Sequence, residues 1–202
     1  MSKLIIFDLD GVLVDACEWH RLSLNQALKE ISGYEISLKD HYSTFNGIPT
    51  RVKLSMLVEM GVIKEKDQNS IYNRKQELSI EIIDSTAKID SDKIEMINAL
   101  KNAGHNVACF TNSIRQTAEL MLKKTGVFDL LDFVLTNQDV ECPKPNPEGY
   151  NYLVEKFEFQ KSDVYIIEDS PKGLQAAYAS GCNVIEVKDP KEVNIKLLKE
   201  LL

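Results

Sequence analysis

What is missing from the chain narrows the possibilities first. No apolar run approaches the roughly 18 residues of a membrane span, and the N-terminal apolar run stops at Asp8 without a signal-peptide cleavage pattern. A cytoplasmic protein with no membrane partner is expected. Positive charge is scarce: 24 Lys and Arg face 31 Asp and Glu, giving a net charge of -7 and a pI of about 5.1. That balance argues against a general nucleic-acid or anionic-membrane binder, so a phosphorylated ligand would need a local cation. The four cysteines, Cys17, Cys109, Cys142 and Cys182, form no Cys-x-x-Cys pair, which suggests neither a zinc site nor a disulfide framework. They read as free thiols, mostly used in packing. Repeats and low-complexity tracts are also absent, and 44% hydrophobic with 27% charged residues describes a globular chain of one large or two unequal domains.

What is present begins with Ile5-Ile6-Phe7-Asp8-Leu9-Asp10-Gly11. Residues two apart on a strand share a side, so Asp8 and Asp10 are expected as neighbours at the carboxyl end of a strand. Open parallel sheets bind ligands at that end. Two carboxylates so close stay ionised only if a cation or hydrogen-bond donors compensate them, which implies a divalent metal. A polar strand end closed by an Asp-Gly turn is the ordinary alternative. An EF-hand is excluded, because counting from Asp8 puts Leu13 and Trp19 where glycine and glutamate are required.

Short β-branched runs at 3–8, 106–111, 132–136, 163–169 and 183–187 alternate with helical patterns. A helix capped by Ser91 or Asp92 should end at Gly104, and others should cover 114–125, 147–156 and 172–180. Such alternation calls for an α/β fold with a Rossmann-like parallel sheet. About seventy residues separate the first two strands, with helical stretches near 19–31, 51–60 and 68–83. They read as an inserted α-helical domain over 15–84, placed above the aspartates, while 1–14 and 85–202 form the sheet domain. Hinges are expected near 14–17 and 85–89.

Three later strand ends could complement the aspartates. Phe110-Thr111-Asn112-Ser113 offers a hydroxyl and backbone N–H groups before a helix, which suits a phosphate, although a helix cap by Asn112 or Ser113 explains it equally simply. Pro143-Lys144-Pro145-Asn146-Pro147 fixes a lysine in a stiff loop, where a solvated lysine is the plain reading. Ile166-Ile167-Glu168-Asp169-Ser170-Pro171 carries a second acidic pair into a helix start, where acids often serve only the dipole. Accident is a poor explanation for four such strand ends at once.

Taken in order, these segments resemble the motifs of the haloacid dehalogenase superfamily along essentially the whole chain. Asp8 to Asp15 resembles the first motif, Thr111-Asn112-Ser113 the second and Lys144-Pro145 the third. Glu168-Asp169-Ser170 with Gly173 and Ala176-Ala177 resembles the fourth. The resemblance implies a phosphoric monoester hydrolase with Asp8 as nucleophile and Asp10 as general acid and base. It implies Mg2+ held by Asp8, the Asp10 carbonyl and Asp169, with Glu168 organising the metal and its waters. Thr111, Lys144 and the backbone near Gly11 and Asn112 would hold the phosphoryl group. Dehalogenases and phosphonatases of the superfamily lack the Asp10 acid, so an oxygen ester is the implied substrate.

The helical insertion resembles the cap of β-phosphoglucomutases, phosphoglycolate phosphatases and small sugar phosphatases. Glu18-Trp19-His20 and Gly47-Ile48-Pro49-Thr50-Arg51 are similar to mutase segments that place a histidine near the acid/base aspartate and an arginine on a distal phosphate. A mutase also uses a cap lysine, where alignment puts Glu81, with Lys75 nearby. The resemblance therefore favours a phosphatase of a small phosphorylated metabolite, a sugar phosphate first, acting as a monomer or weak homodimer. A β-phosphoglucomutase-type isomerase is the alternative, followed by a non-catalytic phospho-ligand module.

Overall fold

The computed structural model describes residues 2–202. In chain order the main elements are β1 (Leu4–Phe7), α1 (Cys17–Ser32), α2 (Thr50–Glu59), α3 (Gln68–Thr86) and α4 (Ser91–Asn102). Next come β2 (Asn106–Phe110), α5 (Arg115–Thr125), β3 (Phe133–Leu135) and α6 (Glu148–Lys156). The last are β4 (Val164–Glu168), α7 (Pro171–Ser180) and β5 (Asn183–Glu186). Two compact units result: the residues up to Asp15 with Lys88–Leu202, and Ala16–Ala87.

In the sheet unit five parallel strands lie in the order β3-β2-β1-β4-β5. Every residue of β1 is fully buried, which explains its unbroken apolar run: helices of a doubly wound sheet cover both faces. Leu4, Ile6, Ala108, Phe110, Tyr150, Leu153, Val164, Ile166 and Ala176 belong to one apolar cluster. Their burial fixes the strand register and with it the level of the residues that follow each strand. The chain winds from β1 outward through β2 and β3, then returns to β4 on the other side. The ends of β1 and β4 therefore meet at the topological switch point, where such sheets open a crevice.

The insertion has its own core, formed by Leu24, Ala27, Leu28, Ile36, Phe45, Leu54, Leu57, Ile71 and Leu78. Buried Asn25 on α1 fastens the connection after it: its Nδ2 donates to the Ile36 carbonyl at 2.9 Å, and its Oδ1 accepts the Ile36 N–H at 3.0 Å. A π-helical turn over His41–Phe45, not expected from the sequence pattern, buries His41 and Phe45.

Two local expectations are corrected. The cap of α4 is Asp90, whose side chain accepts the Lys93 N–H; a cap at Ser91 or Asp92 would begin the helix one or two residues late. The first strand stops at Phe7, so Asp10 is brought back by a turn rather than by strand alternation. In that turn the Gly11 N–H donates to Val14 O at 2.8 Å and the Val14 N–H to Leu9 O at 2.9 Å. Among the described residues no helix is long and apolar enough to cross a membrane.

Candidate active site

The carboxyl ends of β1, β2 and β4 and the loop before α6 gather Asp8, Asp10, Thr111, Lys144, Glu168 and Asp169 within the sheet unit. Asp8 directly follows β1 and is held there by its N–H, which donates to Ile167 O at 3.0 Å. Lys144, 4% exposed, places its ammonium among three oxygens: Asp8 Oδ1 at 2.6 Å, Glu168 Oε2 at 2.7 Å and Phe110 O at 2.8 Å. The loop carrying it includes a cis Lys144–Pro145 peptide. Its backbone is bracketed by Asn112, whose Nδ2 donates to Lys144 O at 3.0 Å and whose Oδ1 accepts the Lys144 N–H at 3.1 Å.

Glu168 is fully buried, and both of its oxygens are occupied. Oε2 accepts from Lys144 and from the Tyr150 hydroxyl at 2.9 Å. Oε1 accepts the N–H groups of Asp169 and Ser170 at 3.1 Å and the Ser170 hydroxyl at 3.0 Å. Such dense donation favours the charged form. Burial, the largest influence, pushes the Glu168 carboxyl upward, but Lys144 and these hydrogen bonds outweigh it and hold it below its ordinary value. The Lys144 ammonium is raised: burial opposes its charge, while Asp8 and Glu168 more than offset that.

Asp8 and Asp169 carry the opposite imbalance. Burial first and Glu168 second raise the Asp8 carboxyl well above the ordinary range. Burial, Glu168 and Asp10 push Asp169 up to about 7. Asp169 Oδ1 is buried with no hydrogen-bond partner, a costly condition for a polar atom. Asp8, Glu168 and Asp169 each offer an oxygen within 4.8 Å of the others. An orphaned buried oxygen among under-compensated carboxylates is a hard, all-oxygen environment that fits a divalent cation.

Asp10 Oδ2 accepts the Ser113 hydroxyl at 2.7 Å and the Thr111 hydroxyl at 3.3 Å. Thr111 Oγ1 also accepts the Ser113 N–H at 2.9 Å. The alternative of an ordinary helix cap therefore does not describe this loop: α5 is preceded by Ile114 with no side-chain cap, Ser113 turns to Asp10 and Asn112 to Lys144. Gly11 adopts φ 96°, and a Cβ there would come within 2.3 Å of Asp169 Oδ2. Glycine is required both for the turn and for the approach of the two acidic segments.

The insertion holds the two remaining candidates. His20 Nδ1 lies 3.3 Å from Lys75 Nζ, linking α1 to α3, and Lys75 is buried. Arg51 stacks its guanidinium 4.1 Å from the Tyr72 ring centre and donates to Asn69 Oδ1 at 3.3 Å. The sequence offers Ser113 only as a possible helix cap and as part of the Thr111-Asn112-Ser113 segment, and it does not mark Tyr150. The signal for Ser113 was its hydroxyl two residues after Thr111; for Tyr150 it was only a tyrosine six residues after Lys144.

The thiols play no visible part in this set. Cys109 is buried and its thiol raised by burial, and Cys142 is exposed beside the Lys144 loop.

Comparison with known proteins adds an independent line. A phosphoglycolate phosphatase of Nitrosospira multiformis is 28% identical over 187 residues, covering 90% of this chain and 81% of its own. A validoxylamine A 7'-phosphate phosphatase of Streptomyces hygroscopicus is 27% identical over 193 residues, covering 90% and 83%. The crystal structure of a β-phosphoglucomutase from Clostridium difficile superposes with a TM-score of 0.83 at 20% identity, covering 100% of this chain and 97% of that one; at that identity the likeness speaks for the fold. Residues 5–187 match the family described as haloacid dehalogenase-like hydrolase, and the chain, with its parallel sheet and the carboxylates at its strand ends, belongs to that family.

Proposed function

We propose that this chain, a phosphoric monoester hydrolase, removes phosphate from a small phosphorylated metabolite, a sugar phosphate first among them, through an aspartyl-phosphate on Asp8. The observation that carries the reading is the Lys144 ammonium on Asp8 Oδ1 beside the unpartnered Asp169 oxygen. One cation is fixed on the attacking carboxylate, and a place for a second is left among the acids.

The chain's own residues then divide the work. Asp8 attacks phosphorus and the ester oxygen leaves with a proton from Asp10. Water next attacks the acyl phosphate, gives its proton to Asp10, and phosphate departs with Asp8 restored. Asp10 is aimed for both half-reactions by Ser113 and Thr111. Lys144 offsets the charge repulsion between carboxylate and phosphoryl group, and Asn112 holds the backbone that carries it. Asp8, Asp169 and the Asp10 carbonyl would hold Mg2+, with Glu168, which also keeps Lys144 in place, helping to organise the ion and its waters. When bound, the ion supplies positive charge against the two acids and the phosphoryl oxygens.

A mutase remains the second reading because Glu18-Trp19-His20 and Gly47-Ile48-Pro49-Thr50-Arg51 are similar to mutase cap segments, and within the insertion the buried Lys75 lies 3.3 Å from His20. The two are separated by incubating the protein with Mg2+, 2-phosphoglycolate, a panel of sugar phosphates, and β-glucose 1-phosphate with a trace of the 1,6-bisphosphate. Free phosphate is the expected product. Glucose 6-phosphate without phosphate release would establish the mutase, and no turnover of any substrate would defeat both. Asp8→Asn should lower turnover by about four orders of magnitude or more; full activity in that variant would rule out the covalent route.

A further inference from the structure

We propose that Tyr150 is a positioning residue of this site, its hydroxyl steadying Glu168 so that the Lys144 ammonium stays on Asp8. The proposal rests on reading Lys144 as the cation that meets the phosphoryl group. Tyr150 is fully buried in the first turn of α6. Its hydroxyl donates to Glu168 Oε2 at 2.9 Å, the same oxygen that accepts Lys144 Nζ at 2.7 Å. The ring serves the ammonium as well: Lys144 Nζ lies 5.2 Å from the centre of the Tyr150 ring and 4.8 Å from that of Phe110. Those two rings pack edge to face at 4.9 Å. The ammonium thus has three oxygens for hydrogen bonds and two π systems within cation–π range.

The hydroxyl and the ring have separable tasks. The ring fills the core and faces Lys144, work that phenylalanine would do equally well. The hydroxyl satisfies one side of a buried carboxylate oxygen that has no exposure to solvent. Without it, Oε2 keeps only the ammonium, and leaving such an oxygen short of a donor is unfavourable. Its Oε1 is fixed by three donors from the chain that follows it, so Glu168 has little freedom to move. Lys144 is the flexible partner, and it should relax toward Glu168 at the expense of Asp8. Helix α6 cannot shift to compensate, because Gly149 already presses on Phe110: a Cβ there would lie 2.3 Å from Phe110 Cζ.

The test is Tyr150→Phe in the full chain, with Tyr152→Phe, a half-exposed tyrosine of the same helix, as control. With p-nitrophenyl phosphate and Mg2+, kcat should fall about ten- to a hundredfold while KM changes less than about twofold. Inhibition by orthovanadate, which occupies the phosphoryl position, should weaken by about tenfold. The nitrogen NMR resonance of the Lys144 ammonium, assigned by its loss in Lys144→Arg, should shift in Tyr150→Phe and stay in Tyr152→Phe. Unchanged kcat, vanadate inhibition and ammonium resonance, with only a loss of thermal stability, would overturn the proposal and leave Tyr150 a packing residue. A wild-type protein that releases phosphate from nothing, yet whose ammonium resonance shifts in Tyr150→Phe, would defeat the phosphatase reading and not the positioning role.

Discussion

Two asparagines perform the same local task in the two units. Asn112 accepts the N–H and donates to the carbonyl of Lys144, and Asn25 does the same for Ile36. In the insertion the fastened residue is apolar and belongs to a core; in the sheet unit it carries a buried charge. The surroundings follow suit. Glu168 has five donors and Lys144 three acceptor oxygens, whereas His41 in the insertion is buried with Nε2 unpartnered. The insertion's Arg74 ion pairs with Glu30 and Glu77 lie at partly exposed positions. Under the proposed function, charge that acts on a phosphoryl group is fixed in advance from several sides, while the insertion is built mainly from apolar packing, its buried polar groups meeting in pairs such as Ser23 with Ser79 and Lys75 with His20.

The sharpest way to break this contrast is to crowd the fixed charges. A Cβ at Gly173 would lie 2.0 Å from Glu168 Cδ and Oε2. Because both oxygens of Glu168 are held, Gly173→Ala cannot be absorbed by a rotamer change. It should cost about 3 kcal/mol of stability or prevent folding, and any folded protein should have lost most of its turnover. Gly33→Ala in the insertion serves as the contrast: its φ of 72° strains an alanine, but nothing lies within 4 Å of the added carbon, so about 1 kcal/mol is expected. Equal denaturation midpoints for the two variants would show that the Glu168 cage is softer than its hydrogen bonds suggest.

The asparagine pair gives the next test. Asn112→Ala and Asn25→Ala each remove two hydrogen bonds and should each lower stability by about 1 to 3 kcal/mol. Only Asn112→Ala should also lower kcat, by about tenfold, since it frees the backbone that carries Lys144. A matching loss of kcat in Asn25→Ala would mean that the stability of the insertion, rather than the fixing of charge, limits turnover.

What could be read from the sequence divides along the same line. Period and punctuation placed all five strands and the helices α1 to α7 to within a few residues, because an unbroken apolar run such as Leu4–Phe7 has few ways to be buried. Asp8, Thr111 and Glu168-Asp169 were visible as residue types out of place at the ends of those runs, and Lys144 as a lysine between prolines in the loop that follows β3. The partners that fix them were not. Nothing in the spacing tells that Asn112 turns to Lys144 while Ser113 turns to Asp10, or that Tyr150 reaches Glu168 across the core, because these contacts join segments tens of residues apart in most cases. In the insertion, Arg51 stands out as a cation after a turn, but its stacking on Tyr72 depends on how α2 packs against α3. The π-helical turn at His41–Phe45 leaves no periodic trace at all.

The smallest effect concerns that turn. Burial first, then the nearby positive charges of Lys53 and Arg21, lower the His41 pKa from 6.5 to about 4; Glu18 opposes this and His20 adds to it. The folded protein therefore holds His41 neutral where the unfolded chain would bind a proton. The resulting stability is complete above pH 6.5 and is lost progressively as pH falls to about 4, below which no more is lost. His41→Phe keeps the edge contact with Tyr42, seen at 5.1 Å between ring centres, and removes the titration. Wild type should lose about 3 °C or more of melting temperature relative to the variant between pH 7 and pH 4. Parallel melting curves across that range would mean that His41 finds a proton partner when it ionises, and that the insertion fixes its buried charges as firmly as the sheet unit does.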